Sequence, residues 1–177
     1  GYGRIGRLVA ETMNKVFQMK VLAYDPYVKD FNEVENIEMV ESLDILMKES
    51  DIITLHLPYT KKLHHFINVE KLRLMKQSAI IINCARGGLI DEDALYHALK
   101  NREIGGAGIA VFEEEPPSPN SKLWSLPNII VTPHIAGITK ESLIQFSISA
   151  AKEIDHVLKG LDPKNYVNKR MREKEKN

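Results

Sequence analysis

The feature that most constrains the fold is the opening hexapeptide Gly1-Tyr2-Gly3-Arg4-Ile5-Gly6, a G-x-G-x-x-G pattern followed directly by apolar residues at helical spacing. Such a loop normally leads from the end of a buried strand into a helix. Gly1 permits a tight turn, Gly3 lets a pyrophosphate approach the backbone, and Gly6 lets the helix pack closely. Free N–H groups at the helix start then attract phosphate oxygens. The hexapeptide therefore predicts a dinucleotide site, and we expect a preceding strand that this sequence does not contain.

Asp25 supports the same interpretation. It follows Gly6 by nineteen residues and ends the next predicted strand. A carboxylate there accepts hydrogen bonds from ribose hydroxyls and repels a 2′-phosphate, which favours NAD over NADP. The alternative is a turn residue before Pro26. A methyltransferase would use a similar loop and acidic residue, so these two features do not identify the chemistry.

The balanced composition gives no support to several classes of partner. Twenty-four basic residues balance twenty-four acidic ones, so nothing favours binding to nucleic acid or to an anionic membrane. The longest apolar runs are only as long as strands, well short of a membrane span. Cys84 is the single cysteine, which rules out an intrachain disulfide and agrees with a reducing cytoplasm.

Apolar runs and helical repeats alternate along the chain, which predicts an α/β fold with a doubly wound, Rossmann-type parallel sheet covered on both faces. In such sheets ligands bind beyond the carboxyl ends of the strands. The predicted strands are 19–24, 37–40, 51–58, 78–83, 109–112 and 128–131. The predicted helices are 5–18, one capped by Ser42, 69–75, one beginning at Asp91, and 139–159.

Four motifs that follow these strands carry a family resemblance. Together they resemble the D-isomer-specific 2-hydroxyacid dehydrogenases, which include phosphoglycerate dehydrogenase and hydroxypyruvate and glyoxylate reductases. The motifs are Leu55-His56-Leu57-Pro58-Tyr59-Thr60, Ile82-Asn83-Cys84-Ala85-Arg86-Gly87-Gly88-Leu89-Ile90-Asp91, Val111-Phe112-Glu113-Glu114-Glu115-Pro116 and Val131-Thr132-Pro133-His134-Ile135-Ala136-Gly137.

The resemblance covers nearly all of residues 1–168. It implies an N-terminally truncated NAD-binding domain over 1–138, the family's C-terminal helix and return segment over 139–168, and a charged tail over 169–177. The family's substrate domain and the first strand of the sheet are then absent from this chain. The implied activity is hydride transfer between NAD and a small D-2-hydroxy or 2-keto acid of the phosphoglycerate or hydroxypyruvate and glyoxylate type. A homodimer is also implied.

By the same resemblance, catalysis is assigned to Arg86, Glu115 and His134. The chemistry agrees, because a guanidinium can hold a substrate carboxylate and polarise the carbonyl. An imidazole can supply the proton that the carbonyl oxygen needs, and a bonded carboxylate fixes its orientation. Structural alternatives are a clamp on carbonyl groups for Arg86, a solvated acidic loop around Glu115, and a packed core histidine for His134.

The remaining cofactor contacts are assigned by position. For His56 a packing role is equally plausible, and Ala110 stands where the family usually has an aspartate that resembles a contact to the nicotinamide carboxamide. No metal-ligand spacing occurs among the six histidines, so no metal site is expected. The assigned contacts are Gly1, Gly3, Arg4, Ile5, Gly6, Asp25, His56, Pro58, Cys84, Ala85, Ala110 and Gly137.

A second function remains open at this point. The family has relatives that act as NAD(H)-sensing transcriptional corepressors, and Ala110 mildly favours that alternative, whereas Arg86, Glu115 and His134 favour an enzyme. Because a central strand would be missing, two rows of backbone hydrogen-bonding groups would lack partners. The chain by itself is therefore expected to fold poorly and to be inactive.

Overall fold

The computed structural model describes residues 1–28 and 36–165 and divides the chain into two compact units, Gly1–Ile135 and Ala136–Asn177. The predicted charged tail and the last residues of the predicted return segment lie outside the described residues. In the first unit, α-helices are interspersed with strands from the glycine loop onward. Its helices are α1 (Arg4–Phe17), α2 (Leu43–Glu49), α3 (Val69–Leu72) and α4 (Glu92–Lys100). Its strands are β1 (Val21–Ala23), β2 (Ile37–Met39), β3 (Ile52–Leu55), β4 (Ile80–Asn83), β5 (Gly106–Ile109) and β6 (Ile129–Val131).

All strand pairs are parallel, and the α/β fold class predicted from the sequence is confirmed. Within the described residues, β1 pairs with β2, and β3, β4, β5 and β6 form a four-stranded sheet in that order. Because the strands within each sheet are parallel, the segments that follow β3, β4, β5 and β6 leave the same edge. That edge is where the sequence places the candidate site.

The prediction of a strand at 109–112 was wrong in its bounds. The strand is Gly106–Ile109, and only Ile109 belongs to both ranges. Gly106 and Gly108 pair with Ile80 and Ile82, but glycine has low strand propensity and contributes no side-chain signal. Residues 110–112 are buried but lie beyond the last residue of β5, so their apolar character was misread. The shift places Ala110 directly after the carboxyl end of β5.

The hydrophobic core lies on one face of the four-stranded sheet. Side chains alternate along the strands, with Ile53, Leu55 and Ile81 buried and packed in one cluster with residues of α2, α3 and α4. Ile52 and Ile80, on the opposite face, are 49% and 40% exposed. The helices that follow β3 and β4 pack on the first face, which is the better covered of the two in the described residues.

Gly1 lies between the two sheets. Its N–H donates to the carbonyl oxygen of Tyr24, just after β1, at 2.9 Å. A Cβ on Gly1 would lie 2.5 Å from the carbonyl oxygen of His56, just after β3. The glycine loop thus starts at the point where the carboxyl ends of β1 and β3 approach each other.

The second unit consists mainly of α5 (Lys140–Leu158). Thr139 and Ser142 form a reciprocal capping box at its start, in which each side chain accepts a hydrogen bond from the other residue's N–H. Among the described residues, no helix combines the length and apolar character needed to cross a membrane.

Candidate functional site

The start of α1 has no capping side chain. Gly3 is its N-cap and supplies no side-chain hydrogen bond, and the first turn contains no acidic residue. The other α-helices of the described chain begin with capping side chains, from Ser42, Asn68, Asp91 and Thr139. Uncapped N–H groups at a helix start attract phosphate oxygens. A Cβ added to Gly3 would meet no atom within 4 Å, so the space beside the loop is open.

The glycine loop is also tightly closed. A Cβ on Gly6 would lie 2.2 Å from the carbonyl oxygen of Gly1, so only glycine fits this turn without rearrangement. Tyr2 is buried, and the guanidinium of Arg7 lies 5.2 Å from the centroid of its ring. Arg4 and Ile5 occupy the first turn of α1 and are exposed. The loop is thus fixed in shape while its outer surface remains accessible.

Asp25 is oriented by the loop that it faces. Its carboxylate accepts hydrogen bonds from the N–H of Tyr2 at 2.9 Å and from the N–H of Tyr27 at 3.0 Å. Each carboxylate oxygen has more than one acceptor position, so both can still accept from a ligand hydroxyl. The structure therefore brings Asp25 beside the glycine loop, where the sequence places a ribose contact.

Arg86 is positioned by a buried amide that sequence reasoning missed. Asn83, the last residue of β4, is only 1% exposed. Its Nδ2 donates to the carbonyl oxygen of Arg86 at 2.9 Å, and its Oδ1 accepts from the N–H of Ala85 at 3.0 Å. These two bonds fold residues 84–86 back over the strand end. The available signal was a polar residue that closes a run of three isoleucines.

Glu115 and His134 form a direct pair. His134 Nδ1 lies 3.0 Å from Glu115 Oε2, and both side chains are partly exposed, His134 by 46% and Glu115 by 38%. The other carboxylate oxygen, Oε1, accepts from the N–H of Phe112 at 3.1 Å. These hydrogen bonds, first that of His134 and then that of Phe112, lower the pKa of Glu115 below its ordinary value. Glu115 is therefore a carboxylate over the whole range in which an ordinary imidazole gains or loses its proton.

The charge of Arg86 also helps to lower the pKa of Glu115, as a smaller contribution than the two hydrogen bonds. The loops after β4, β5 and β6 thus bring together all three residues that the resemblance assigns to catalysis. Close backbone packing holds the first two loops in contact, because a Cβ on Gly87 would lie 1.9 Å from the carbonyl group of Phe112. Glycine is required at position 87 for that reason.

The other assigned residues differ in their surroundings. His56 Nε2 is hydrogen-bonded to Thr54 Oγ1 at 3.1 Å, and burial is the main cause that lowers the pKa of His56. This pairing favours the packing role. Ala110 is 3% exposed and its N–H donates to the carbonyl oxygen of Asn83 at 3.0 Å. Pro58 and Cys84 are exposed and Ala85 is half-buried after their strands, whereas Gly137 belongs to the second unit.

Replacing Asn83 with alanine is expected to destabilise the fold by about 2–4 kcal/mol, because a buried side chain and its two partly buried hydrogen bonds to the backbone are lost. The loop that carries Arg86 would also lose its shape, so we expect catalytic activity to fall together with stability. Chemical denaturation and steady-state kinetics on the intact protein measure the two effects. Asn101→Ala is the matched control, because the Asn101 side chain hydrogen-bonds Glu103 at the surface. Equal stability of the Asn83 and Asn101 variants would contradict the assignment.

Comparison with known proteins identifies the family. The sequence profile described as D-isomer specific 2-hydroxyacid dehydrogenase, NAD binding domain, matches residues 1–136. D-3-phosphoglycerate dehydrogenase of Methanocaldococcus jannaschii is 47% identical over 95% of this chain, and glyoxylate reductase of Thermofilum pendens is 42% identical over 96%. The D-lactate dehydrogenase structure from Aquifex aeolicus, complexed with NAD and lactic acid, matches with a TM-score of 0.81 and 41% identity over 90% of this chain.

The chain spans 32% of the phosphoglycerate dehydrogenase, 50% of the glyoxylate reductase and 52% of the lactate dehydrogenase chain. It therefore corresponds to about a third to a half of these relatives. The part that corresponds is the nucleotide-binding part, as the matched profile states. Since that profile matches 136 of the 177 residues, the chain belongs to the D-isomer-specific 2-hydroxyacid dehydrogenase family, as its NAD-binding domain.

Proposed function

We propose that this chain is the NAD-binding part of an oxidoreductase that transfers a hydride between nicotinamide and a small D-2-hydroxy or 2-keto acid. The observation that carries the proposal is the 3.0 Å bond between Glu115 and His134, with the charge of Arg86 acting on the same carboxylate. A carboxylate-oriented imidazole beside a guanidinium suits proton transfer to a carbonyl oxygen next to a bound carboxylate.

The described residues fit the cofactor. The uncapped start of α1 would hold the pyrophosphate, and the open space beside Gly3 would let it approach. Asp25, held beside the loop by the N–H of Tyr2, would accept from the adenosine ribose and disfavour a 2′-phosphate. Bound NADH supplies the hydride. NAD is therefore the proposed cofactor, in preference to NADP.

Each catalytic residue then has a separate task. Arg86 would bind the carboxylate of the 2-keto acid through its planar set of donors and polarise the neighbouring carbonyl. His134 Nδ1 donates to Glu115, which leaves Nε2 to give its proton to the carbonyl oxygen as the hydride reaches the carbonyl carbon. In the oxidative direction the same nitrogen would take the hydroxyl proton. Glu115 keeps the ring oriented through this hydrogen bond.

The whole protein is proposed to be longer than this chain, with a strand between β1 and β3 and a separate substrate domain. The position of Gly1 between the ends of those two strands supports the extra strand. The partial coverage of the relatives supports the extra domain. A cytoplasmic homodimer, without nucleic acid or membrane as partner, is proposed on the resemblance, the balanced charge and the single cysteine.

The test is to follow NADH consumption by the intact protein with a panel of 2-keto acids that includes hydroxypyruvate, its phosphate ester, glyoxylate and pyruvate. Turnover with at least one of them is expected. NADH binding without turnover of any substrate would overturn the enzyme proposal and support the corepressor-like alternative. If the intact protein does not bind NADH, both the enzyme proposal and the corepressor-like alternative are wrong.

A substitution at Ala110 tests how this position affects the affinity for NADH. Ala110→Asp in the intact protein is expected to improve the affinity for NADH, or kcat/KM, by about tenfold. The reason is that the resemblance places an aspartate at this position, as an acceptor for the nicotinamide carboxamide. Fluorescence titration with NADH measures the affinity. Ala110→Val adds volume without an acceptor, so it should give no gain. An aspartate variant that folds but binds NADH no better would remove this role from position 110.

A further inference from the structure

We propose a binding site for a divalent transition metal ion, Zn²⁺ in the first place, formed by His64, His65 and Glu113. It shares no residue with the Glu115–His134 pair and does not depend on the proposed function. Each of the three residues offers one ligand atom, and these atoms lie within 4.8 Å of one another. Sequence spacing did not indicate the site, because Glu113 is 48 residues away from His65.

The backbone brings two adjacent histidines to one side. Neighbouring side chains in extended chain point in opposite directions. His65, however, has a φ of 52°, in the left-handed region that few non-glycine residues adopt. Its N–H donates to the carbonyl oxygen of Gly88 at 2.8 Å, which anchors this turn. The two rings consequently stack, with centroids 3.8 Å apart and planes 28° from parallel.

Each ring has a neighbouring oxygen at Nδ1, which makes Nε2 the candidate ligand atom. Tyr59 Oη lies 3.2 Å from His64 Nδ1, and Asp91 Oδ2 lies 3.7 Å from His65 Nδ1. Partners on Nδ1 favour ligation through Nε2, an arrangement typical of metal-binding histidines. His65 Nε2 is already directed at Glu113 Oε1, 2.9 Å away. A metal ion would replace this hydrogen bond and bind both atoms.

The surrounding charge favours a cation. Glu113 and Glu92 exchange hydrogen bonds, since each carboxylate accepts from the other's backbone N–H, at 3.2 Å to Glu113 and 2.7 Å to Glu92. Asp91 lies beside His65. Three carboxyl groups thus surround two imidazoles. The two rings therefore offer nitrogen ligands in acidic surroundings that attract a dication.

The donor set selects the metal class. Two imidazole nitrogens and one carboxylate oxygen suit Zn²⁺ and its neighbours Co²⁺, Ni²⁺ and Cu²⁺, whereas Mg²⁺ and Ca²⁺ prefer oxygen ligands. Bound donors lie about 2.0–2.2 Å from Zn²⁺, so the ligand atoms must move closer together. His64 is exposed and its ring can rotate to do so. Water would complete the tetrahedron.

The experiment is a Zn²⁺ titration of the metal-free intact protein in competition with a chromophoric chelator, together with Co²⁺ absorption spectra. One Zn²⁺ per chain and tetrahedral Co²⁺ bands are expected. His64→Ala and Glu113→Gln should each weaken binding at least about tenfold, as should Tyr59→Phe through loss of orientation. His97→Ala is the control, since His97 is an exposed histidine on α4 and should leave Zn²⁺ affinity unchanged.

Two results would overturn the proposal. One is the absence of Zn²⁺ binding in the presence of the chelator. The other is unchanged Zn²⁺ affinity in both His64→Ala and Glu113→Gln, which would place any bound zinc elsewhere, for example at Glu115 and His134. His64→Ala leaves the bond between His65 and Glu113 intact, so thermal melting should show that this variant remains folded.

Discussion

Replacing His134 with asparagine in the intact protein is expected to lower kcat for 2-keto acid reduction by about 10²–10⁴-fold, the usual contribution of a general acid. The affinity for NADH should stay the same, because the variant removes the proton donor and leaves the glycine loop and Asp25 in place. Stopped-flow kinetics under single-turnover conditions separates the chemical step from binding and product release.

Two further variants are compared with His134→Asn, namely Glu115→Gln and the control His97→Ala. Glu115→Gln keeps an oxygen acceptor near Nδ1 but removes the charge, so its loss of kcat should be smaller than that of His134→Asn. His97→Ala should have no effect, since His97 lies on the exposed side of α4. An asparagine variant at 134 that retains kcat within a factor of about two would exclude His134 as the general acid, since such a donor is worth at least about 10²-fold.

The parallel sheet and the edge that carries the site follow from the sequence, whereas the hydrogen bonds that fix the loops do not. Apolar runs such as residues 78–83 predict buried parallel strands, and parallel strands place Arg86 and His134 on one edge. The pattern fails at β5, where two glycines give no strand signal and the buried Ala110 lies beyond the end of the strand. Hydrophobicity indicates burial there but does not reveal which residues make the ladder hydrogen bonds.

Contacts between distant residues are the part that the sequence could not provide. Nothing in residues 83–86 shows that the Asn83 amide turns inward to bond Ala85 and Arg86. Likewise, the sequence presents residues 113–115 as one acidic run. In the structure, Glu115 is hydrogen-bonded to His134 and Glu113 to His65, so carboxylates two residues apart belong to two different clusters. The direction of each side chain depends on loop geometry that only the folded chain defines.

Arg86→Ala is expected to lower kcat/KM for the 2-keto acid by about 10²–10⁴-fold. Two charge-assisted hydrogen bonds to a substrate carboxylate contribute about 1.5–3 kcal/mol each, and every 1.36 kcal/mol corresponds to a factor of ten. Arg86→Lys keeps the positive charge but loses the planar pair of donors, so it should recover only part of that loss. Steady-state kinetics with the best substrate from the panel gives both values, and NADH titration should show unchanged affinity.

Arg86→Ala and Arg86→Lys also distinguish a substrate-binding role of Arg86 from a purely structural one, in which its side chain holds neighbouring carbonyl groups. The one hydrogen bond that the Arg86 guanidinium donates within the described chain is from Nη1 to the carbonyl oxygen of Ala85, at 2.6 Å and exposed to solvent. Loss of an exposed bond of this kind changes the free energy of unfolding by about 1 kcal/mol or less, far below the expected loss in kcat/KM. If Arg86 were a clamp, stability and activity would fall together in Arg86→Ala, and lysine would restore both equally. If Arg86 binds the substrate, the melting temperature stays nearly constant while kcat/KM falls by orders of magnitude.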